Sequence, residues 1–229
     1  MSEVAGGSFV QFQVLSLDHA WEGVETSAAV SGIEDFASHL NSAGVVTHTY
    51  LLSGLKASAD LLLWKVAGSA EALQEHHLAL KRTLFGRHLR EVAAYTGVTK
   101  PSTYTKTENE YEFLTAPGKR RRYLSFYPFT KTTEWYLLDF EKRRKIMGDH
   151  IAIGRKFPEV SQTLLYSFGA DDQEFVVAYE MDDLKYYIDC VMALRESESR
   201  LYTRVDTPVY TGVRKGPSDL TLLFGGTNE

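Results

Sequence analysis

The chain has a single cysteine, Cys190, among 229 residues. One thiol can form neither an intrachain disulfide nor a thiolate metal cluster, which excludes a cystine scaffold and a zinc ribbon. Set in the apolar run Tyr187-Ile188-Asp189-Cys190-Val191-Met192, it reads as a small core residue. No stretch approaches the ~18 uninterrupted apolar residues of a membrane span. The start, Met1-Ser2-Glu3-Val4-Ala5-Gly6-Gly7, lacks the basic-then-apolar pattern of a signal peptide, so the sequence is read as that of a soluble, cytoplasmic protein. Excess positive charge is missing too. With 25 basic and 30 acidic residues the net charge is −5, which gives no field to hold a nucleic acid. Nor is there a glycine-rich phosphate loop, a serine elbow, or a pair of zinc-spaced histidines with a third ligand nearby.

What the chain does have is 44% hydrophobic and 24% charged residues, the balance of a globular protein with a buried core. Its length suits one large domain or two of roughly 110 residues each. An internal repeat decides for two related halves. Gly54 and Gly97 are separated by the same 43 positions as Gly169 and Gly212, with a constant offset of 115. Ser53-Gly54 and Tyr95-Thr96-Gly97-Val98 in the first half answer to Phe168-Gly169 and Tyr210-Thr211-Gly212-Val213 in the second.

Each half reads as strand, helix, strand, strand, helix, strand. Phe9 to Leu17 alternates apolar and polar side chains, the pattern of a half-buried strand. Ile33 to Ser42 follows as a short helix, Val45 to Ser53 and Asp60 to Val66 as strands, Ala70 to His88 as a helix, and Glu91 to Gly97 as the closing strand. The second half offers Arg122 to Phe129, Leu138 to Lys156, Ser161 to Tyr166, Gln173 to Tyr179, Leu184 to Arg195 and Arg204 to Val213 in the same order. The expected fold is therefore α+β, with two ferredoxin-like βαββαβ repeats forming a dimeric α+β barrel within one chain. The expected division is a first repeat over 1–100 without a cofactor, a polar linker over 101–119, and a second repeat over 120–229.

The second half carries chemistry that the first lacks. Tyr127-Pro-Phe-Thr-Lys131-Thr-Thr-Glu-Trp135-Tyr136 puts phenols, an amine and an indole at the end of a strand. In the helix that follows, His150 shares a face with Ile146, Met147, Ile153 and Gly154, where a hydrophobe is expected. An imidazole there needs a carbonyl, a carboxylate or a metal to satisfy its nitrogens. Such a histidine is more often a satisfied core or interface residue than a ligand.

The stretch Tyr127 to Leu138, with Glu141-Lys-Arg-Arg-Lys-Ile-Met-Gly-Asp-His150 and Tyr166-Ser-Phe-Gly-Ala-Asp-Asp-Gln-Glu-Phe, resembles the chlorite dismutase-like haem proteins, which include the coproheme decarboxylases. The motifs cover most of residues 120–215, and the first half fits as the family's degenerate copy. The resemblance implies haem b or coproheme III held by the second half, with His150 as axial iron ligand, in a homo-oligomer that is commonly a pentamer. Trp135 falls where the family keeps a tryptophan near the proximal side. Chlorite dismutases carry an arginine on the distal strand. Aligned on Ser167-Phe168-Gly169, that place here is Gln162, whose neutral amide can bond peroxide but lacks a charge to hold chlorite.

The pocket residues are closest to those of coproheme decarboxylase. The function implied is that of a haem-dependent oxidoreductase converting coproheme III propionates to the vinyl groups of haem b with hydrogen peroxide. Tyr127 would be the redox-active phenol beside the reactive propionate, with Lys131 binding or protonating around it. Arg195 suits a propionate by its guanidinium chemistry, and Arg200 fits a surface position better. Glu198 falls near the chlorite dismutase glutamate that bonds the proximal imidazole. One register along, Ser199 falls near a serine that decarboxylases use for a propionate, and a solvent-facing Glu198 is equally compatible. Two alternatives stand beside the enzyme: a haem-binding carrier or sensor without turnover, and a chlorite dismutase, which the missing distal arginine disfavours.

Overall fold

A computed structural model describes residues 7–104 and 120–224. Most of the linker expected over 101–119 lies outside the described residues. The first half contributes β1 (Phe9–Leu17), α1 (Thr26–His39), β2 (Val46–Leu51), β3 (Leu61–Ala67), α2 (Ala70–Arg82), α3 (Leu84–His88) and β4 (Leu89–Val98). The second contributes β5 (Tyr123–Lys131), α4 (Thr133–Leu137), α5 (Phe140–Gly154), β6 (Ser161–Tyr166), β7 (Phe175–Met181), α6 (Leu184–Arg195), β8 (Thr203–Val205), β9 (Tyr210–Lys215) and α7 (Pro217–Phe224).

The strands run β4-β1-β3-β2 in one half and β9-β5-β7-β6 in the other, the same antiparallel order twice. The halves join along β2–β9, where Tyr50 pairs with Arg214, and at β4–β6, where Val98 pairs with Tyr166. Because β5 also pairs with β7, eight strands close on themselves, and β8 adds to the end of β5. The two ferredoxin-like repeats thus form one dimeric α+β barrel.

Alternation along each strand sends one set of side chains inward. Val10, Phe12 and Val14 meet Leu62, Trp64, Leu124, Phe126, Val176 and Tyr210 inside the barrel. Phe12 and Phe126, from the first strand of each half, stack at 4.5 Å. Each such buried side chain stabilises the fold by about 1.5–3 kcal/mol. One ion pair is buried with them: Arg120 bonds Glu180 at 3.0 Å, and Tyr50 donates to the same carboxylate at 3.2 Å.

The repeated glycines have two geometric jobs. Gly54 and Gly169 sit at φ of 80° and 71°, a left-handed turn conformation that side chains disfavour. Gly97 and Gly212 lie at the two seams. A Cβ on Gly97 would stand 3.0 Å from Leu165 of β6, and one on Gly212 would stand 3.0 Å from Tyr50 of β2.

Helices α1, α2, α3 and α7 cover the outer face of the first half. The helix expected over Ala70 to His88 is two, since Thr83 leaves the helical conformation and its hydroxyl caps α3 by accepting from Gly86 N at 3.0 Å. The strand expected over Arg204 to Val213 is likewise two, with Pro208, which has no N–H to donate, between β8 and β9. Helices α4 and α7 have no counterpart in the expectation. Helix α7 crosses to the first half, where Trp21 Nε1 donates to Phe224 O at 2.7 Å and Leu220 is buried beside Ile33 and Phe85. Under α2 the first half packs a polar seam: buried Lys65 donates to Gln13, whose amide contacts Glu91 and, at 2.9 Å, His77 Nδ1. His88 bonds Asp18 at 3.1 Å. No helix among the described residues is long and apolar enough to cross a membrane.

Candidate functional site

The outward face of the second half is built differently. Between the sheet β6-β7-β5 and helices α5 and α6 lies a cavity of about 940 Å³. Alternate residues of three strands make one wall: Tyr127, Phe129 and Lys131 of β5, Gln162, Leu164 and Tyr166 of β6, and Phe175, Val177 and Tyr179 of β7. Met147, His150, Ile151 and Gly154 of α5, with Cys190, Val191 and Leu194 of α6, make the other. The cysteine is buried as expected, with its thiol pushed up by burial. The lining is largely apolar, the usual character of a small-molecule or cofactor cavity.

His150 is held in one tautomer by a chain of hydroxyls. Ser197 Oγ donates to Leu194 O at 2.7 Å, so it has no proton left for its neighbours. Ser199 Oγ stands 2.9 Å from Ser197 Oγ and 2.8 Å from His150 Nδ1, which is also 3.1 Å from Ser197 Oγ. Every contact carries a proton only if Ser199 donates to Ser197 and the imidazole donates from Nδ1. Nε2 then keeps its lone pair, as a metal ligand requires. Burial, and next the charge of Lys131, push the imidazole down to about 4, so it is neutral at pH 7.

Lys131 belongs to the same corner. Its Nζ lies 3.4 Å from Ser199 O, 3.5 Å from Thr203 Oγ1 and 4.8 Å above the Trp135 ring, and burial pushes the amine down to about 8. Trp135 is buried between this amine and the rings of Tyr104 and Tyr202. Glu174 fixes the end of β5, accepting from Lys131 N at 2.7 Å and from the Tyr136 hydroxyl at 2.6 Å.

Tyr127 sits elsewhere in the cavity. Burial pushes its phenol up, a hydrogen bond from Tyr179 lowers it, and Arg195, Asp206 and Arg200 act on it by charge. The Tyr127 and Tyr179 rings are 6.1 Å apart. Gln162 lines the sheet wall with its side chain open, opposite Tyr179 in the β6–β7 ladder.

The structure thus brings Tyr127, Lys131, Trp135, His150, Gln162, Arg195 and Ser199 to one cavity. It does not bring Glu198 there. That side chain is exposed beside Glu141, Lys142 and Lys145, while buried Ser199, one position on, faces inward to the imidazole. Ser199 Oγ reaches His150 Nδ1 at 2.8 Å. Arg200, which the sequence reading favoured as a surface residue, is exposed and yet lines the cavity. Sequence reasoning missed Ser197, Tyr179 and Asp206. The first two carry only the weak signal of polar residues next to an apolar run.

A family model described as chlorite dismutase matches residues 26–215. The chain belongs to the chlorite dismutase family. A coproheme decarboxylase from Mycolicibacterium smegmatis is 30% identical over 210 residues, spanning 90% of this chain and 89% of the relative. A coproheme decarboxylase from Staphylococcus carnosus is 30% identical over 152 residues, 60% of each. Among solved structures, chlorite dismutase from Candidatus Nitrospira defluvii in complex with imidazole superposes with a TM-score of 0.88 at 25% identity, covering 97% of both chains. Within the chlorite dismutase family both names therefore occur among this chain's relatives, and the cavity must discriminate between them.

Proposed function

We propose that the second half of the chain binds an iron porphyrin through His150 and that the protein is a peroxide-dependent coproheme decarboxylase. The observation that carries this reading is the joint presence, in one apolar cavity, of an imidazole whose Nε2 keeps its lone pair and a half-buried phenol within the field of two arginines that line the same cavity. The cavity volume, its apolar walls and the preset tautomer all fit such a group. When bound, the iron porphyrin supplies the redox chemistry that passes two electrons per propionate to hydrogen peroxide.

The chain's residues do the rest. His150 would hold the iron through Nε2, and the amide of Gln162 could donate a hydrogen bond to peroxide. Tyr127 would serve as the redox-active phenol beside the reactive propionate, giving up and recovering one electron and one proton as the propionate β-carbon loses a hydrogen atom. Loss of neutral CO2 from that side chain, with its second electron passing to the oxidant, would leave a vinyl group. In balance, one propionate, one peroxide and one proton give a vinyl group, CO2 and two waters. Lys131 sits on the His150 side in this reading, so its amine bears on the iron's environment more than on Tyr127. At the strand position where the resemblance to chlorite dismutases implies an arginine the chain has Gln162, and rapid O2 evolution from chlorite would overturn the assignment. The reading takes the protein to be a cytoplasmic homo-oligomer, a pentamer, in which the first half serves structure.

The test is to add ferric coproheme, titrate hydrogen peroxide, and follow absorbance and porphyrin mass. The wild type is expected to lose two carboxyl groups stepwise, whereas Tyr127→Phe binds coproheme and loses none. Binding without mass change in the wild type would leave a haem carrier.

A further inference from the structure

Arg195, in the last turn of α6, and Arg200, in the 3-10 turn over Glu198–Tyr202, converge on one oxygen of Asp206. Both donate from Nη1 to Oδ2, Arg200 at 2.7 Å. All three line the cavity, and all three act by charge on Tyr127. Their depths differ. The Asp206 side chain is 14% exposed, against 39% for Arg195 and 41% for Arg200. The carboxylate is therefore the best buried of the three, and both guanidiniums keep more of their surface open.

That order decides what the carboxylate does. Two neighbouring guanidiniums without a shared counter-ion repel each other, and each long side chain gains freedom by swinging into water. Tied to one oxygen, they stay together with a net single positive charge, and each guanidinium has further N–H donors to offer. A carboxylate arriving through the cavity meets those donors without displacing Asp206. The result is a neutral set of two guanidiniums and two carboxylates.

We propose that Asp206 is a positioning residue that braces Arg195 and Arg200 into a receptor for one carboxylate of the porphyrin, the one presented to Tyr127. This rests on the porphyrin reading of the cavity, but it does not depend on iron, on peroxide or on turnover.

The test uses iron-free coproporphyrin III, which has four carboxylates and no metal for His150, and its tetramethyl ester. Each is titrated by fluorescence into the wild type, Asp206→Asn, Asp206→Glu, Arg195→Gln and the Arg195→Gln/Asp206→Asn double variant. Asp206→Asn is expected to bind the acid about tenfold more weakly and the ester unchanged. Asp206→Glu recovers most of the loss, and the double variant is little weaker than either single one, because brace and braced act as a unit. Equal or tighter acid binding by Asp206→Asn, or an equal loss for the ester, overturns the brace. If the wild type binds neither porphyrin, the porphyrin reading falls and the brace with it. If it binds acid and ester equally well, the carboxylate receptor alone falls.

Discussion

Ser199 shows how much one hydroxyl decides. It is the link that orients His150 and forces the proton onto Nδ1, so removing it loosens the ring and frees the other tautomer. Partners of a ligating imidazole are worth 10- to 100-fold in affinity for the metal. Ser197 remains 3.1 Å from Nδ1 in Ser199→Ala, so the expected loss is about tenfold, read by optical titration with ferric coproheme. Affinity equal to the wild type would show that the hydroxyl chain is not what sets the ligand. The apolar face of Ile146, Met147 and Ile153 singled out His150 in the sequence, but only the family resemblance made it the expected ligand. The sequence could not choose between Glu198 and Ser199. That choice depends on the 3-10 turn over Glu198–Tyr202, which changes the angle per residue and turns the serine inward. Asp206 was illegible for a related reason, since its two partners lie six and eleven residues away on different elements.

Among the elements, β1 was legible to the residue because Val10, Phe12 and Val14 enter the barrel core while the polar Gln11 and Gln13 alternate with them. The break between α2 and α3 was not, because every residue from Ala70 to Arg82 forms helix well and a single threonine ends it. The two outer faces diverge in use. The second half keeps a cavity, and the first fills the corresponding layer with α2 and the polar seam around Lys65. His76, fully buried in that layer, bonds Leu40 O at 3.0 Å, and burial with the nearby Lys65 charge holds its ring down to about 4. The folded histidine takes its proton near pH 4 and the unfolded one near pH 6.5. Between those values the unfolded state binds more protons. The stability that comes from keeping His76 neutral is therefore full above about pH 6.5 and falls as the pH drops toward 4, at up to about 1.4 kcal/mol per pH unit. Urea unfolding of the protein across this window should show a shallower decline in His76→Gln. An unchanged slope would mean the ring does not carry the effect.

At the scale of the molecule, the glycine repeat seen in the sequence is the trace of a closure condition. Gly97 and Gly212 occupy equivalent places at the two lines where the halves meet. The β4–β6 line is joined by the single pair Val98 and Tyr166, so it has little to absorb a misfit. A methyl at Gly97 would stand 2.8 Å from Ser167 Oγ and 3.1 Å from Tyr166 O. Gly97→Ala is expected to destabilise the fold by about 2 kcal/mol, the scale of an overpacked core, as measured by denaturant titration. Gly212→Ala should do the same at the other line, against Tyr50 and Leu52. A cost below half a kcal/mol at both would show that the seams are slack. The offset of 115 made this symmetry visible, but not which strands met, because pairing across the halves leaves no periodic mark in either one.

The closed circle also bears on the order in which the chain is made. When Val98 has just emerged from a ribosome, β2 and β4 are the outer strands of a four-stranded sheet, and both are bare until β9 and β6 follow. Bare strands accept any matching edge. The second half of another copy carries the same edges as the chain's own, so these two strands are where an exchange between copies would begin.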